Sequence, residues 1–175
     1  MDCKFAVVAF CLFSVGYVDA TTYDVWDLLS GNDDRFYLVS RSYSRDNNEC
    51  AYMKRKSQDD GNHELQTEMS HRKAGHESFE APSTYTVTVK GSEMTVRAQT
   101  GSEGVTYELV YSDGNGCNIL KGKTAHVTDK CELWAPPQKV EHAQEVACSK
   151  KFEELCKEVK ETPYNEGCQI PETGN

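Results

Sequence analysis

Short apolar runs alternate with polar turns over most of the chain. The clearest case is residues 84–90, where Tyr85, Val87 and Val89 fall on one face and threonines on the other. This alternation predicts a β-strand with one buried face, and the Gly-Ser turn that follows indicates a hairpin. By the same criteria we predict strands at residues 36–43, 50–56, 84–90, 94–98, 106–112, 118–120 and 131–135.

Many short strands separated by Gly, Asn and Asp turns predict a mainly β, antiparallel fold. Two architectures fit this pattern, a two-sheet sandwich and a closed barrel. A barrel of about eight strands can enclose a small ligand, because interior and exterior positions alternate along each strand. Composition alone does not separate the two.

The pattern changes after Pro136-Pro137. Residues 140–160 are rich in Glu, Lys, Gln and Ala, which favour helices. Val146, Phe152, Leu155 and Val159 recur at roughly helical spacing, which predicts one amphipathic helix ending before Pro163. We expect it to pack on the outside of the sheet.

The first twenty residues have the composition of a secretory signal peptide. Lys4 precedes an apolar run, and Val18-Asp19-Ala20 offers small residues for cleavage. A membrane anchor is the alternative, but the run is shorter than the roughly 20 residues that span a bilayer. We therefore expect a signal peptide at 1–20 and one secreted domain at 21–175.

The chain is acidic, with a formal net charge of −9. Cleavage after Ala20 would remove two acids and one base and leave a net charge of −8. Such a surface repels phosphate backbones and anionic membranes and favours small cations. We therefore expect no nucleic-acid or membrane partner, and we expect a monomer that binds a small molecule.

The cysteines indicate disulfides. Of eight cysteines, Cys3 and Cys11 would leave with the signal peptide. The six that remain are an even number in a secreted chain, which predicts three bridges among fifteen possible pairings. None of them lies in a C-x-x-C pair with zinc-ligand spacing. The remaining cysteines are Cys50, Cys117, Cys131, Cys148, Cys156 and Cys168.

The same count argues against an enzyme. No cysteine is left over as a free thiolate for nucleophilic catalysis, and neither a G-x-S-x-G nor an H-E-x-x-H motif is present. His71 and His76 lie in a polar, charged stretch, where solvated histidines are typical. We expect no catalytic residue, no metal ion and no cofactor.

An ordered set of motifs resembles a known family. Cys117-Asn118-Ile119 is followed after twelve residues by Glu132-Leu133-Trp134 and after thirteen more by Cys148. This order resembles the Cys-Asp-aliphatic, Glu-aliphatic-Trp, Cys signature of tick salivary lipocalins of the histamine-binding type. The resemblance extends back to Trp26 and forward to the C-terminal helix and Cys168.

The resemblance implies an eight-stranded up-and-down lipocalin barrel with an outer C-terminal helix. It also implies the pairs Cys50–Cys168, Cys117–Cys148 and Cys131–Cys156. By analogy the protein would be secreted in tick saliva and would sequester a mediator of host inflammation. Histamine or serotonin, bound inside the barrel, is the ligand class that the family suggests.

The family's two amine sites can be carried over in part. For one site, Tyr43, Asp46 and Glu108 align with a tyrosine and two acids. For the other, Glu132 is retained and Phe36 lies near a tyrosine position, but Asn118 replaces the family's aspartate, which removes a charge. An amine buried in a barrel needs such carboxylates and aromatic faces. The predicted ligand-binding residues are Tyr43, Asp46, Glu108, Glu132, Trp134, Phe36 and Asn118.

Other interpretations remain open at this stage. Strand alternation would turn Glu108 outward beside an inward Tyr107, and Asp46 lies where turn aspartates make local hydrogen bonds. An eicosanoid or fatty-acid carrier would need an inward cation, for which Arg41 and Arg97 are candidates. An antagonist of complement or clotting would act through surface loops, with the barrel as scaffold.

Overall fold

The structure, a computed structural model, describes residues 23–98, 103–124 and 126–169. Within these residues eight antiparallel strands follow one another around a closed barrel, and the last strand pairs with the first. The predicted signal peptide lies outside the described residues. The strands are β1 Arg35–Arg41, β2 Glu49–Asp59, β3 Glu64–Arg72, β4 Ser83–Lys90, β5 Glu93–Ala98, β6 Val105–Ser112, β7 Asn118–Gly122 and β8 Cys131–Ala135.

The closed barrel decides between the two architectures that the sequence left open. Seven of the eight strands lie where strands were predicted, within a few residues. The strand that the sequence analysis missed is β3, in a segment that was interpreted as polar surface. Its signal was a weak alternation in which Leu65 and Thr67 are fully buried between half-buried polar neighbours.

One end of the barrel is closed by a short N-terminal helix, α1 (Val25–Leu29). The backbone N–H of Val25 donates to Gly91 O in the β4–β5 turn at 3.0 Å. Trp26 stacks on His63 of the β2–β3 turn with ring centroids 4.7 Å apart. The side chains that fill this end are therefore Val25 and Leu29, and Trp26 covers its edge.

The other end of the barrel, called the mouth below, carries the β1–β2 loop (residues 42–48) and the β3–β4 loop (residues 73–82). The β1–β8 pairing shifts register between Leu38 and Ser40. Because of this irregularity, and because Tyr43 lies beyond the end of β1, Phe36 and Tyr43 both reach the interior although they are seven residues apart.

The C-terminal helical region is shorter and more broken than predicted. It comprises a 3-10 turn at Pro137–Lys139, α2 at Val140–Ala143 and α3 at Val146–Cys156. Glu145 has an extended backbone that separates α2 from α3, and Lys157 ends α3 with a φ of 74°. The predicted apolar face is wrong at Val146, which is 69% exposed; the buried face of α3 is instead Cys148, Phe152 and Cys156.

The barrel has an inner and an outer apolar cluster. The inner cluster fills the closed end around Phe36, Met53 and Leu109. The outer cluster packs Phe152 of α3 against outward side chains of the strands, such as Tyr37 and Ile119. The helix therefore covers the outside of the barrel, as the resemblance implies. In the part of the chain that the structure describes, no helix is long and apolar enough to cross a membrane.

Three disulfides connect the C-terminal region to the barrel. Cys117–Cys148 joins α3 to the residue before β7, and Cys131–Cys156 joins α3 to β8. Cys50–Cys168 joins β2 to the chain beyond α3. These are the pairs that the family resemblance implies. The disulfides hold the last described segment against the mouth, and this segment contributes to the architecture of the site.

Candidate ligand-binding site

A cavity of about 380 Å³ lies inside the barrel and opens at the mouth. This volume is in the range of small-molecule pockets, which are typically lined by apolar side chains with a few polar groups. Most of the wall is apolar or aromatic, and most of its polar groups lie towards the mouth, whereas Asn118 lies at the closed end, where β7 begins. The side chains that line the cavity include Phe36, Leu38, Tyr43, Arg45, Asn48, Met53, Met69, His71, Glu80, Met94, Tyr107, Asn118, Glu132 and Trp134.

Glu132 on β8 is the buried acid of this cavity, with 7% of its surface exposed. The hydroxyl of Tyr43 donates to Glu132 Oε1, and the indole N–H of Trp134 donates to Glu132 Oε2 at 2.9 Å. Tyr107 supplies a further hydrogen bond. All three donors are neutral, so the carboxylate is hydrogen-bonded without a cation among these partners.

The two tyrosines are held in their donor state. Burial raises the pKa of Tyr43 far above its usual value, and the negative charge of Glu132 raises it further. Burial and Glu132 raise the pKa of Tyr107 in the same way. Both hydroxyls therefore keep their protons at physiological pH and point hydrogen-bond donors at one carboxylate.

Two predicted acids do not line the cavity. Glu108 follows the inward Tyr107 on β6, and the strict alternation of a strand turns it outward, where it pairs with Lys123 at 2.9 Å. Asp46 is exposed in the β1–β2 loop. The amine site that the alignment built on Asp46 and Glu108 is therefore not assembled; of its three residues only Tyr43 reaches the interior.

Asn118 and Phe36 do line the cavity, with different roles. The amide of Asn118 is used within the fold, because it accepts from Ser112 Oγ at 2.7 Å and donates to Trp134 O at 3.1 Å. It therefore positions the strand that carries Trp134. Phe36 belongs to the apolar cluster at the closed end.

Sequence reasoning did not place the polar groups at the mouth in the site. Arg45, Asn48, His71 and Glu80 all line the cavity there. Glu80 pairs with Lys73 at 3.2 Å, and 44% of its side chain is exposed. Burial lowers the pKa of His71, and the nearby charge of Arg45 adds to this effect. His71 was placed on the surface because the alternation of β3 was not recognised.

The two arginines suggested for a lipid carboxylate do not line the cavity. Arg41 is 1% exposed, but its guanidinium is bound by other protein groups. Arg97 is exposed on β5, where it lies 3.4 Å from Thr88 Oγ1. Among the described residues the arginine that lines the cavity is Arg45, at the mouth.

A closed eight-stranded barrel with a capped end, an outer helix and a lined interior defines a lipocalin-type small-ligand-binding barrel. The sequence model of the tick histamine-binding proteins matches residues 19–170. The chain therefore belongs to the tick histamine-binding protein family. A search of curated protein sequences finds no match to this chain.

Two solved structures show the same fold. The AM182–serotonin complex is similar over 97% of this chain and 98% of its own, with a TM-score of 0.66 and 18% identity. Japanin from Rhipicephalus appendiculatus, bound to cholesterol, is similar over 78% of this chain and 96% of its own, with a TM-score of 0.61 and 18% identity.

Proposed function

We propose that this chain is a secreted, non-enzymatic lipocalin of tick saliva that sequesters a biogenic amine, histamine or serotonin, inside its barrel and so modulates host inflammation. The observation that carries the proposal is Glu132, a buried carboxylate whose hydrogen-bond partners are all uncharged. A protonated amine would supply the missing positive charge. The ligands in the two similar structures support a barrel that holds small molecules.

The energetics of burial favour a cation next to Glu132. A lone carboxylate in an apolar site is costly, and a lone ammonium would be equally costly. Tyr43, Tyr107 and Trp134 lower that cost in the empty barrel, since each hydrogen bond to a charged group contributes about 1.5–3 kcal/mol. An ammonium adds the charge pairing that these neutral donors cannot provide.

Aromatic contact with the amine would come from Tyr107 and Trp134. The ring of Tyr43 already has two cations nearby, the guanidinium of Arg41 at 5.4 Å and Lys130 Nζ at 5.3 Å from its centroid. Tyr43 therefore contributes its hydroxyl and not a free ring face. The other two rings can each provide a cation–π contact of about 0.5–2 kcal/mol.

We expect one amine per barrel. The family site that contains Glu132 keeps that single acid, because Asn118 stands where the family has an aspartate, and both ends of the Asn118 amide are engaged. The acids of the other family site, Asp46 and Glu108, lie outside the cavity, and Glu80, which lines its mouth, already pairs with Lys73. A single bound ammonium next to Glu132 is therefore the stoichiometry that the described residues support.

A carboxylate-bearing lipid is the second candidate, because Arg45 lies at the mouth of a mostly apolar cavity. The lipid tail would occupy the space among Met53, Met69 and Met94, and Arg45 would pair with the head group. In this arrangement Glu132 has no ionic partner, which disfavours the lipid relative to the amine.

Calorimetry on the chain from residue 21 onwards tests the proposal with serotonin, histamine and a leukotriene. We expect saturable binding of an amine that Glu132→Gln weakens thirtyfold or more, since removing one partner of a buried charge pair costs about 2–5 kcal/mol. Glu108→Gln is the matched control, an acid on the barrel exterior, and should leave the affinity unchanged.

Other results would overturn the proposal. Amine binding that survives Glu132→Gln would exclude Glu132 as the anchor. Leukotriene binding that is lost in Arg45→Gln would establish the lipid candidate in place of the amine. No binding of any of the three compounds would favour the surface-loop antagonist that the sequence left open.

A further inference from the structure

The β1–β2 loop folds around the side chain of Arg41. Its guanidinium donates through Nη1 to Asn48 Oδ1 at 2.7 Å and through Nη2 to Arg45 O at 2.8 Å. Nε donates to Glu161 Oε2 at 2.7 Å. The middle of the loop at Arg45, its end at Asn48 and the segment beyond α3 thus meet on one buried cation.

Glu161 completes this arrangement from the C-terminal side. Its carboxylate also accepts from the backbone N–H of Arg45 at 3.1 Å. The backbones join as well, because Arg41 N–H donates to Glu161 O at 3.0 Å and Lys160 N–H donates to Arg41 O at 2.9 Å. The middle and the end of the loop are thus tied to the C-terminal segment through the Arg41–Glu161 pair.

Tyr43 is the residue of this loop that reaches Glu132. Its neighbour Ser42 is fixed on β8, since Ser42 N–H donates to Cys131 O at 3.0 Å and Cys131 N–H donates to Ser42 Oγ at 2.8 Å. The ring of Tyr43 then lies with its centroid 5.4 Å from the guanidinium carbon of Arg41. The same cation that shapes the loop thus also packs on the ring.

We propose that Arg41 and Glu161 are positioning residues, which hold the hydroxyl of Tyr43 on Glu132 and so set the ligand affinity of the barrel. The part of this inference that concerns affinity rests on the proposed function. Neither residue touches the ligand; Arg41 acts through Tyr43, and Glu161 acts through Arg41. The segment after α3 thereby becomes part of the binding site.

The chemistry of the pair explains why arginine stands at this position. A guanidinium is planar and offers five N–H donors in a fixed fork, so it can bind two loop acceptors and a carboxylate at once. A residue of similar length without that fork would leave Asn48 Oδ1 or Arg45 O without this donor, or would leave the Glu161 carboxylate without its buried cation. The pair also restricts the seven-residue loop to few conformations. Without the pair, other loop conformations would compete with the one that places Tyr43 on Glu132.

A double-mutant cycle tests the inference. Arg41→Gln and Glu161→Gln should each weaken amine binding by up to about tenfold, the effect of one well-placed hydrogen bond. Tyr43→Phe should have an effect of similar size, and combining it with Arg41→Gln should weaken binding no further, because the two changes remove the same contact. Additive losses would overturn the inference.

Arg72→Gln is the matched control. Arg72 also binds the segment beyond α3, through Gly167 O at 3.3 Å, and also packs on an aromatic ring, that of Phe79 at 5.8 Å. It does not line the cavity. We expect this variant to lose stability but not amine affinity. A loss of amine affinity equal to that of Arg41→Gln would show a general structural effect and would overturn the inference.

A second measurement needs no ligand. In protein labelled with 3-fluorotyrosine, the ¹⁹F resonance that disappears in Tyr43→Phe belongs to Tyr43. It should move towards the position of free fluorotyrosine in Arg41→Gln and in Glu161→Gln, and it should stay in place in Arg72→Gln. An unmoved resonance in the first two variants would overturn the inference, even if the barrel binds no amine and the proposed function fails.

Discussion

Trp134 and Glu132 lie two residues apart on β8, and the indole N–H of Trp134 donates to Glu132 Oε2 at 2.9 Å. Because side chains alternate along a strand, this spacing places both on the same face, which here faces the cavity. A ligand that pairs with Glu132 must therefore change the surroundings of an indole. The binding site contains its own fluorescent reporter.

The first prediction follows from that contact. The chain has two tryptophans, and Trp26 lies at the closed end, stacked on His63. Histamine, unlike serotonin, has no indole ring of its own. Titration with histamine should therefore change the tryptophan emission of the protein through Trp134. Trp26→Phe should keep the ligand-dependent signal, and Trp134→Phe should lose it. A signal that persists in Trp134→Phe would contradict this placement of the ligand.

The second prediction concerns pH and an exposed pair on the outer surface. His142 Nε2 lies 2.6 Å from Asp113 Oδ2. This hydrogen bond raises the pKa of His142 above its ordinary value. The protonated, paired state is thus favoured in the folded chain, and its contribution to stability is fully present below about pH 6.5 and lost as the pH rises through the raised pKa.

Asp113→Asn should reduce that dependence, and Glu145 Oε2, which lies 3.4 Å from His142 Nδ1, should maintain the remainder. We expect the free energy of unfolding in urea to fall less between pH 6 and pH 8 in this variant than in the parent chain. His76→Gln serves as a control, since His76 is exposed in the β3–β4 loop, and should leave the pH profile as it is. Identical profiles for Asp113→Asn and the parent would refute the prediction.

The sequence pattern predicted most of the strands, because strand alternation is a local signal, whereas their closure into a barrel was implied only by the family resemblance. At Glu108 that signal was correct: residue 108 faces outward beside the inward Tyr107, whereas the alignment with the family had placed it in the site. At β3 the alternation runs through Leu65 and Thr67, but the outward positions Glu64 and Glu68 carry a residue type that strands disfavour, and the segment was interpreted as polar surface. Periodicity therefore gave the right direction for Glu108 where alignment did not, whereas alignment correctly brought Phe36, Asn118 and Glu132 to the cavity wall.

The remaining features depend on tertiary contacts that no local pattern encodes. The break between α2 and α3 lies in a run of good helix formers, and α3 is joined to the barrel by Cys148 and Cys156. The position of Tyr43 depends on Arg41 meeting Glu161, which is 120 residues away in sequence. Their pairing becomes visible only once the C-terminal segment lies beside β1.

The third prediction tests a close approach near the mouth. A Cβ on Gly122, at the end of β7, would lie 2.0 Å from Val127 O, so the backbone of the β7–β8 loop would have to move. We expect Gly122→Ala to destabilise the fold by about 1–3 kcal/mol, measured by urea unfolding. Gly61→Ala is the control, since its Cβ would meet Asp59 Oδ1 at an ordinary 3.4 Å, and an equal loss in both variants would be the contrary result.

The fourth prediction ranks two of the disulfides. Cys50–Cys168 spans 118 residues and Cys131–Cys156 spans 25. In the chain-entropy model their removal costs about 5 and about 3.5 kcal/mol respectively. The longer bridge also secures the strand that begins beside the mouth, where Cys50 N–H donates to Pro163 O at 2.8 Å.

Replacing both members of each pair with serine and unfolding the two variants in urea checks this ranking. We expect the Cys50→Ser, Cys168→Ser variant to be the less stable one and also to bind amine more weakly than the Cys131→Ser, Cys156→Ser variant. The reason is that the longer bridge joins the chain beyond α3, which carries Glu161, to the start of β2, whereas the shorter bridge ends at the last residue of α3. If the shorter bridge proved the more important for affinity, α3 itself and not the segment after it would support the mouth.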